Sequence, residues 1–232
     1  MEGLGSAHRR RLRAIWRSAG WPCLDPIEIE LLAAGMLMRQ RDDAGRETVR
    51  VTDAGVRLLA ATIQTNRAAR EGHEGLVARV AADMQRGGRI VWRGLTLRAP
   101  LTTADGRTSW AMAMPDVFSI RHTTVEDYAE PVVHEIKVRR ADLQADLRRP
   151  AKGAAYLALA SQCWYVLADG IAEPSEVPPA FGVMIARADG LEVARPAPRR
   201  PARVPFAVWM ALARANAEPP PDDGQDWLAA CE

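Results

Sequence analysis

The sequence predicts an α/β protein in which a mixed central sheet is flanked by helices and preceded by a small α+β domain. Two observations support this prediction. From about residue 89 onwards, short segments rich in β-branched and aromatic residues alternate with helical segments. The first third of the chain instead combines helical periodicity with one hairpin pattern. The length of 232 residues suits one large or two small domains.

Changes in pattern along the chain predict four parts. We expect a small domain at 1–69, a larger domain at 70–203, a C-terminal helix at 204–217 and an acidic, proline-rich tail at 218–232. The tail carries five acidic residues and no basic ones, which leaves 31 basic against 24 acidic residues in the rest, a formal charge of +7. A basic body favours a polyanionic partner such as DNA. The tail itself is expected to be disordered or to mimic nucleic acid against the basic surface.

Composition excludes several classes of protein. Hydrophobic residues make up 48% of the chain and charged residues 26%, as in ordinary globular proteins. No apolar run approaches the ~20 residues that a membrane span needs, and no apolar stretch follows the basic N-terminus as in a secretory signal. Cys23, Cys163 and Cys231 are scattered and form no CxxC pair, so neither a disulfide framework nor a structural zinc is expected. We therefore expect a cytoplasmic protein with no membrane partner.

The N-terminal domain is predicted to contain two helices, a hairpin and a third helix. A short basic helix covers 8–17, and Asp25 is a suitable N-cap for a second helix that Gly35 ends. Two short strands then flank the turn at 43–45. The third helix covers 53–71 and follows Thr52 as its cap.

This order of elements resembles a winged-helix module, and the segment VTDAG at 51–55 is similar to a junction common in that class. The resemblance implies docking on duplex DNA, with the arginines of the hairpin on phosphates. These arginines are Arg39, Arg41, Arg46 and Arg50. The alternative is a small module that packs on the larger domain or dimerises.

The larger domain is predicted to begin with a helix at 72–84. Leu76, Val77, Val80 and Met84 give it an apolar face. Glu71 and Glu74 lie near its beginning, where acidic residues suit the helix dipole. Of the two, Glu74 has the better position relative to the apolar face to reach a site on the sheet. Strands are expected at 89–99 and 108–114, and the second runs into Pro115 and Asp116.

Acidic and basic side chains then follow in a pattern that indicates chemistry. Asp116 begins the short strand of MPDVFSI, and HEIK lies in a strand at 131–138. Because side chains alternate along a strand, Glu135 and Lys137 share one face while Ile136 points into the core. If the two strands pair, Asp116 joins them, and two carboxylates with an ammonium are what a divalent metal and an activated water need. His134 points the opposite way and is expected to be a core or loop histidine.

The distribution of lysine singles out the same region. Lys137 and Lys152 are the two lysines among 31 basic residues, and arginine fills every other basic position. A compact ammonium beside a carboxylate is difficult to replace by the wide guanidinium of arginine, although codon usage alone is another explanation.

Two helices separated by Pro150 follow the HEIK strand. In the first, Asp142 and Asp146 lie four apart, which favours a solvated helix surface paired with Arg139 or Arg149. In the second, at 151–160, Lys152 and Tyr156 share a face. They either line a cleft and contact a phosphate, or form a buried aromatic with a snorkelling lysine. A buried strand at 162–168, a hairpin around Asp189-Gly190 and a helix at 205–216 complete the prediction.

The ordered set PD at 115–116, HEIK at 134–137, Lys152-x-x-x-Tyr156 and the aromatic strand CWYVLA resembles the PD-(D/E)XK nuclease superfamily. Within it, VRRADLQADLR and the hairpin at about 177–198 are similar to the MmcB-like family of DNA-repair endonucleases. The resemblance covers roughly 70–200 and implies a restriction-endonuclease-like core. It also implies that an acid from the preceding helix, here Glu74, supports the site.

The resulting hypothesis is a Mg²⁺- or Mn²⁺-dependent DNA endonuclease acting in repair or in defence against foreign DNA. A homodimer is compatible with this hypothesis. Asp116, Glu135 and the carbonyl of Ile136 are the expected metal ligands, and Lys137 is expected to orient the water. Arg139 and Arg140 are further expected DNA contacts. The alternative is a winged-helix DNA-binding protein or regulator whose nuclease-like domain is inactive.

Overall fold

A computed structural model describes residues 4–103 and 105–219. The chain divides into two compact units, Met1–Arg70 and Glu71–Glu232. The N-terminal unit contains two helices, a hairpin and the first part of a long third helix. The second unit contains the rest of that helix and all later elements.

The bounds of the elements are as follows. The helices are α1 (Ser6–Trp16), α2 (Pro26–Ala33), α3 (Asp53–Arg86), α4 (Arg140–Leu147), α5 (Pro150–Leu159) and α6 (Phe206–Arg214). The strands are β1 (Leu37–Arg41), β2 (Glu47–Val51), β3 (Arg89–Arg93), β4 (Leu97–Thr102), β5 (Thr108–Ala113), β6 (Val117–Arg121), β7 (Val132–Lys137), β8 (Gln162–Ala168), β9 (Gly182–Ala186) and β10 (Leu191–Arg195). Among these described helices, none combines the length and apolar character that a membrane span requires.

The N-terminal unit has a small apolar core of its own. Leu12 from α1, Leu31 from α2 and Val49 from β2 are almost completely buried within it. Asp25 caps α2 as predicted, since its carboxylate accepts a hydrogen bond from the backbone N–H of Glu28 at 2.9 Å. Two helices and an antiparallel hairpin therefore precede the first turns of α3.

A mixed six-stranded sheet organises the second unit. Its strand order is β10-β9-β8-β7-β6-β3. The strands β7, β8 and β9 run parallel, and the other pairs are antiparallel. The crossover between β7 and β8 contains α4 and α5, as parallel neighbours require. The expected α/β class, with a mixed sheet flanked by helices, is confirmed.

Two apolar layers cover the sheet. On one face, Val133 and Leu167 pack in a cluster with residues of α5 and α6. On the other face, Val132 and Ile136 pack with Val80 of α3. Because β7 is buried along its whole length, both sets of its side chains face protein.

The hairpin before Asp116 differs from the prediction. The strand expected at 89–99 is two strands, because Gly94 adopts a φ of +57° and ends β3. The segment at 108–114 was expected in the central sheet, but β5 pairs with β4 in a separate two-stranded sheet. Its strong β-propensity identified a strand without identifying the partner strand.

The helices expected at 53–71 and 72–84 are one continuous helix, α3, of 34 residues. Gly72 and Gly75 lie inside it, where each costs about 1 kcal/mol relative to alanine. The flanking alanine, arginine, glutamate and leucine residues are strong helix formers, and their propensity outweighs the two glycines.

The C-terminal helix expected at 205–216 is α6. Beyond it, the carboxylate of Glu218 forms an ion pair with Arg93 at 2.8 Å. The backbone N–H of Glu218 donates a hydrogen bond to the carbonyl of Val91. The start of the acidic segment therefore lies along β3, an edge strand of the sheet. The remainder of the predicted tail, 220–232, lies outside the described residues.

Candidate functional site

The candidate site lies where β6 begins and β7 ends. Asp116 immediately precedes β6, and Val117 is paired with His134 of the antiparallel β7. One carboxylate oxygen of Asp116, Oδ2, accepts a hydrogen bond from the backbone N–H of Ile136 at 2.7 Å. This bond fixes Asp116 beside the segment that carries Glu135 and Lys137.

Glu135 and Lys137 share the face of β7 that carries Val133, as the alternation of a strand predicts. Their side chains are only 5% and 10% exposed, and Lys137 Nζ lies 2.5 Å from Glu135 Oε1. The strand thus presents a buried, directly paired carboxylate and ammonium.

The helices of the crossover supply the partners of this pair. Lys152, on α5, donates to Glu135 Oε1 at 2.6 Å and to Asp146 Oδ1 at 2.7 Å. Asp146, on α4, also lies 3.4 Å from Lys137 through Oδ2. Both lysines of the chain therefore contact the same two carboxylates.

Two tyrosines complete the network. The hydroxyl of Tyr156 donates to Glu135 Oε2 at 2.7 Å and lies 3.1 Å from the carbonyl oxygen of Met114. The hydroxyl of Tyr165, on β8, donates to Asp146 Oδ2 at 3.1 Å. Because Tyr156 is 1% exposed, it holds Glu135 from within the core and is not a surface contact for a phosphate.

The electrostatic state of the cluster follows from burial and these contacts. Burial, together with the negative charge of Glu135, raises the pKa of Asp116. Burial acts against the charged form of Asp146, but the hydrogen bond from Lys152 and the charges of both lysines hold its pKa below the usual value. Burial likewise opposes the ammonium of Lys152, but Glu135 and Asp146 raise its pKa. The pKa values of Asp116 and Asp146 are therefore shifted in opposite directions within one site.

Helix α3 brings a histidine to Asp116. His73 Nε2 lies 3.4 Å from Asp116 Oδ1. Glu74 is 66% exposed and lies 3.6 Å from His73 Nδ1. His73 was not predicted as a site residue, although the sequence contains the signal. It precedes Leu76, Val77 and Val80 by three, four and seven residues and so belongs to the apolar face of the helix.

Asp146 was wrongly predicted to lie on a solvated helix surface. It is 8% exposed and belongs to the network, whereas Asp142 is exposed and lies 3.5 Å from Arg139. The physical reason is that Asp146 follows the buried Leu143 by three residues and shares its inward face. His134 is a core residue as expected, with 0% exposure and its ring stacked on Trp164.

The donor set suits a hard cation that keeps most of its own water. A carboxylate has about four lone-pair sites. Glu135 uses three of them for the two lysines and Tyr156, so one remains at Oε2. Asp116 Oδ1 lies 3.4 Å from His73 Nε2 and accepts no hydrogen bond from another residue in the described part of the chain. Mg²⁺ is commonly held by one or two carboxylates with water and phosphate oxygens, so these residues fit such an ion. The described residues contain no group of three or more His, Cys, Asp or Glu side chains arranged for a metal ion.

The arginines expected to contact DNA differ in their surroundings. On the β1–β2 hairpin, Arg39 lies 3.5 Å from Glu47 and Arg46 donates to Asp42 at 2.7 Å, while Arg41 and Arg50 are exposed. Arg140 makes two hydrogen bonds to the carboxylate of Glu176, at 2.9 and 2.7 Å. This bidentate pair leaves Arg140 with fewer donors for a phosphate.

Comparison with known proteins adds little to this geometry. No protein-family model matches the chain, and no curated protein matches it. A solved structure, the SPO1766 protein of unknown function from Silicibacter pomeroyi, is similar over 59% of this chain and 78% of its own, with 23% identity and a TM-score of 0.38. This likeness carries no argument about function.

Proposed function

We propose that this protein is a metal-dependent DNA endonuclease that hydrolyses phosphodiester bonds, with a restriction-endonuclease-like second unit. The observation that supports the proposal most is the convergence of Asp116, Glu135 and Lys137 at adjoining ends of two paired strands. The resemblance in sequence assigns a role to the same three residues. Repair of DNA or defence against foreign DNA would be its setting.

In this proposal, Asp116, Glu135 and the carbonyl of Ile136 hold Mg²⁺ or Mn²⁺. When bound, such an ion polarises a phosphate oxygen and lowers the pKa of water. Lys137 holds the attacking water and stabilises the negative charge that develops on phosphorus oxygens. The attacking water gives up a proton to solvent as its oxygen forms a new bond to phosphorus. The ester P–O bond breaks, and the departing oxygen takes a proton from solvent.

The other residues of the network act through these three. Tyr156 fixes the orientation of Glu135, and Asp146 with Lys152 fixes the position of Lys137. These are positioning roles, since none of the three needs to touch the substrate. His73 is better placed than Glu74 to complete the surroundings of Asp116.

The N-terminal unit is proposed to dock on duplex DNA in the manner of a winged helix. Its hairpin carries Arg41 and Arg50 exposed on opposite faces, because Arg50 is paired with Met38 in register while Arg41 is paired with Glu47. Arg39 and Arg46 would have to exchange a carboxylate partner for a phosphate. Such contacts would give salt-dependent affinity without sequence readout.

One observation favours a second candidate. Both lysines contact the same oxygen of Glu135, so this carboxylate is already largely neutralised. A DNA-binding protein or regulator with an inactive nuclease-like unit would have the same contacts.

Cleavage of supercoiled plasmid DNA separates the two candidates. The wild-type protein should nick the plasmid in Mg²⁺ or Mn²⁺ and not in excess chelator. Asp116→Ala should abolish nicking, and Lys137→Ala should lower it about 100-fold or more. Asp142→Asn, an exposed carboxylate on α4, is the matched control and should cleave normally. Retained DNA binding with no nicking in either metal would refute the nuclease and leave the second candidate.

A further inference from the structure

The hairpin β4–β5 has two very different faces. Its inner face, with Leu97, Ala99 and Ala113, is buried in the core of the second unit. Its outer face carries Arg98 and Met112, which are paired in register, and Pro100 and Trp110, which are also paired. Alternation along β5 places these side chains together on the side away from the core.

The outer face combines exposed apolar side chains with the guanidinium of Arg98 and carries no negative charge. Trp110 is 47% exposed and Met112 66%. Neither β4 nor β5 contains an acidic residue. The guanidinium of Arg98 lies over the Trp110 ring, 5.3 Å from its centroid. Among the described residues, no carboxylate forms an ion pair with it. An arginine stacked on an exposed tryptophan, without a carboxylate partner, suits a ligand that is both planar and anionic.

The chain connects this face directly to the candidate site. After β5 comes Met114, which is 60% exposed, and then Pro115 and Asp116. Tyr156 contacts both the Met114 carbonyl and Glu135, so the end of the hairpin is tied to the site. At ~3.3 Å per residue, Trp110 is at most about 20 Å from Asp116 along the chain, within the footprint of a short oligonucleotide.

We propose that the outer face of β4–β5 binds unpaired nucleotides of the strand to be cut, with bases stacked on Trp110 and phosphates on Arg98. This inference rests on the proposed function and assigns its substrate class, which is single-stranded or locally unpaired DNA. Stacking needs the open face of a base, which an intact duplex does not offer.

The test measures equilibrium binding of the full chain to fluorescent oligonucleotides of about 20 nucleotides, either single-stranded or as the matched duplex. All measurements contain a chelator and use one fixed salt concentration. Trp110→Ala should weaken single-strand binding about 5- to 100-fold and change duplex binding less than about twofold. Trp110→Phe should restore much of the affinity. Met112→Glu, which adds a negative charge to an exposed position, should also weaken single-strand binding. Phe206→Ala removes an aromatic that is 78% exposed and belongs to α6, not to the hairpin, and it should bind both as wild type does.

Other outcomes would overturn the inference. Unchanged single-strand affinity of Trp110→Ala would refute it. Equal losses for both DNA forms, together with conversion of a dimer to a monomer in sedimentation equilibrium, would make this face an interface between copies of the chain.

The cleavage assay and the single-strand binding assay can fail independently of each other. A wild-type protein that never cleaves but loses single-strand binding on Trp110→Ala would refute the nuclease and keep this surface. A nuclease whose Trp110→Ala variant binds and cuts as before would refute this surface alone.

Discussion

Replacing Asp146 by asparagine tests whether the buried network is as tightly coupled as its geometry indicates. Asp146 accepts hydrogen bonds from Lys152 at 2.7 Å and from Tyr165 at 3.1 Å, and it lies 3.4 Å from Lys137. Asparagine is nearly the same size but has no charge, and its NH₂ group replaces one of the two carboxylate oxygens, so one of the two ammonium groups faces a donor instead of an acceptor. The substitution therefore removes an anion from beside one buried and one partly exposed ammonium group without leaving a cavity.

The expected loss can be estimated from these contacts. Breaking a buried ion pair by removing one partner costs about 3–5 kcal/mol. Lys152 is 31% exposed and keeps Glu135 as a partner, so the lower end, about 3 kcal/mol, applies. For a unit of this size each kcal/mol corresponds to about 2–4 °C, so the melting temperature should fall by about 6–12 °C at pH 7.

The pH dependence makes the prediction sharper. The pKa of Asp146 in the folded protein lies below the ordinary value of 3.8. Its ionised form therefore stabilises the fold above the pKa of the unfolded chain, and this contribution is lost as pH falls through the lower, folded pKa. The difference between wild type and Asp146→Asn should be complete at pH 7 and should shrink below about pH 4.

Thermal denaturation followed by calorimetry between pH 3 and 8 measures both effects. Asp142→Asn, on the same helix but exposed, is the control and should change stability by less than about 0.5 kcal/mol. A loss below about 1 kcal/mol for Asp146→Asn at pH 7, or a loss of constant size down to pH 3, would refute the coupling between Asp146 and the two lysines.

Two further substitutions test neighbouring features. Tyr156→Phe deletes a buried hydrogen bond to a charged group, so the free energy of unfolding should fall by about 1.5–3 kcal/mol and plasmid nicking should become slower. Urea denaturation and the plasmid assay measure the two effects. Equal stability would show that this hydroxyl does not hold Glu135. His134→Leu should change stability at pH 7 by less than about 1 kcal/mol, because neither ring nitrogen has a described hydrogen-bond partner. Burial lowers the pKa of His134 to about 3, so wild type should lose stability as pH falls from 6.5 to 3, and the leucine variant should lose less across that window in the same calorimetric series.

The sequence predicted the parts of the site that depend on strand alternation. Glu135 and Lys137 must share a face because they are two apart in a strand, and no tertiary information is needed for that. Asp116 could be placed beside them only by assuming that its strand paired with theirs, and β6 does pair with β7. Lys152 and Tyr156 were grouped correctly by helical spacing, although their common partner could not be named.

The sequence did not predict the environment of side chains whose spacing fits both an exposed and a buried face of the same helix or strand. The spacing of Asp142 and Asp146 fits one exposed helix face, but only Asp146 also lies three residues after a leucine that the fold buries. The alternating pattern of β5 was equally compatible with an inner strand of the main sheet and with a separate hairpin, because its exposed Trp110 and Met112 look like core residues. Tertiary packing decides such cases, and propensity does not.

The energetics of the network also bear on which of the two candidate functions is the better supported. Buried ion pairs seldom stabilise a fold relative to apolar residues of similar volume, because removing the charges from water costs about as much as their attraction returns. Glu135, Lys137 and Asp146 are each less than 10% exposed at the residue level, in an otherwise apolar layer. A unit that served only for packing or dimerisation would be at least as stable without them. The three carboxylates of the site, counting Asp116, also exceed its two lysines by one formal charge, and an excess of negative charge beside a raised carboxyl pKa is what a bound cation relieves. This balance supports the proposal of a divalent-ion site over that of an inactive scaffold.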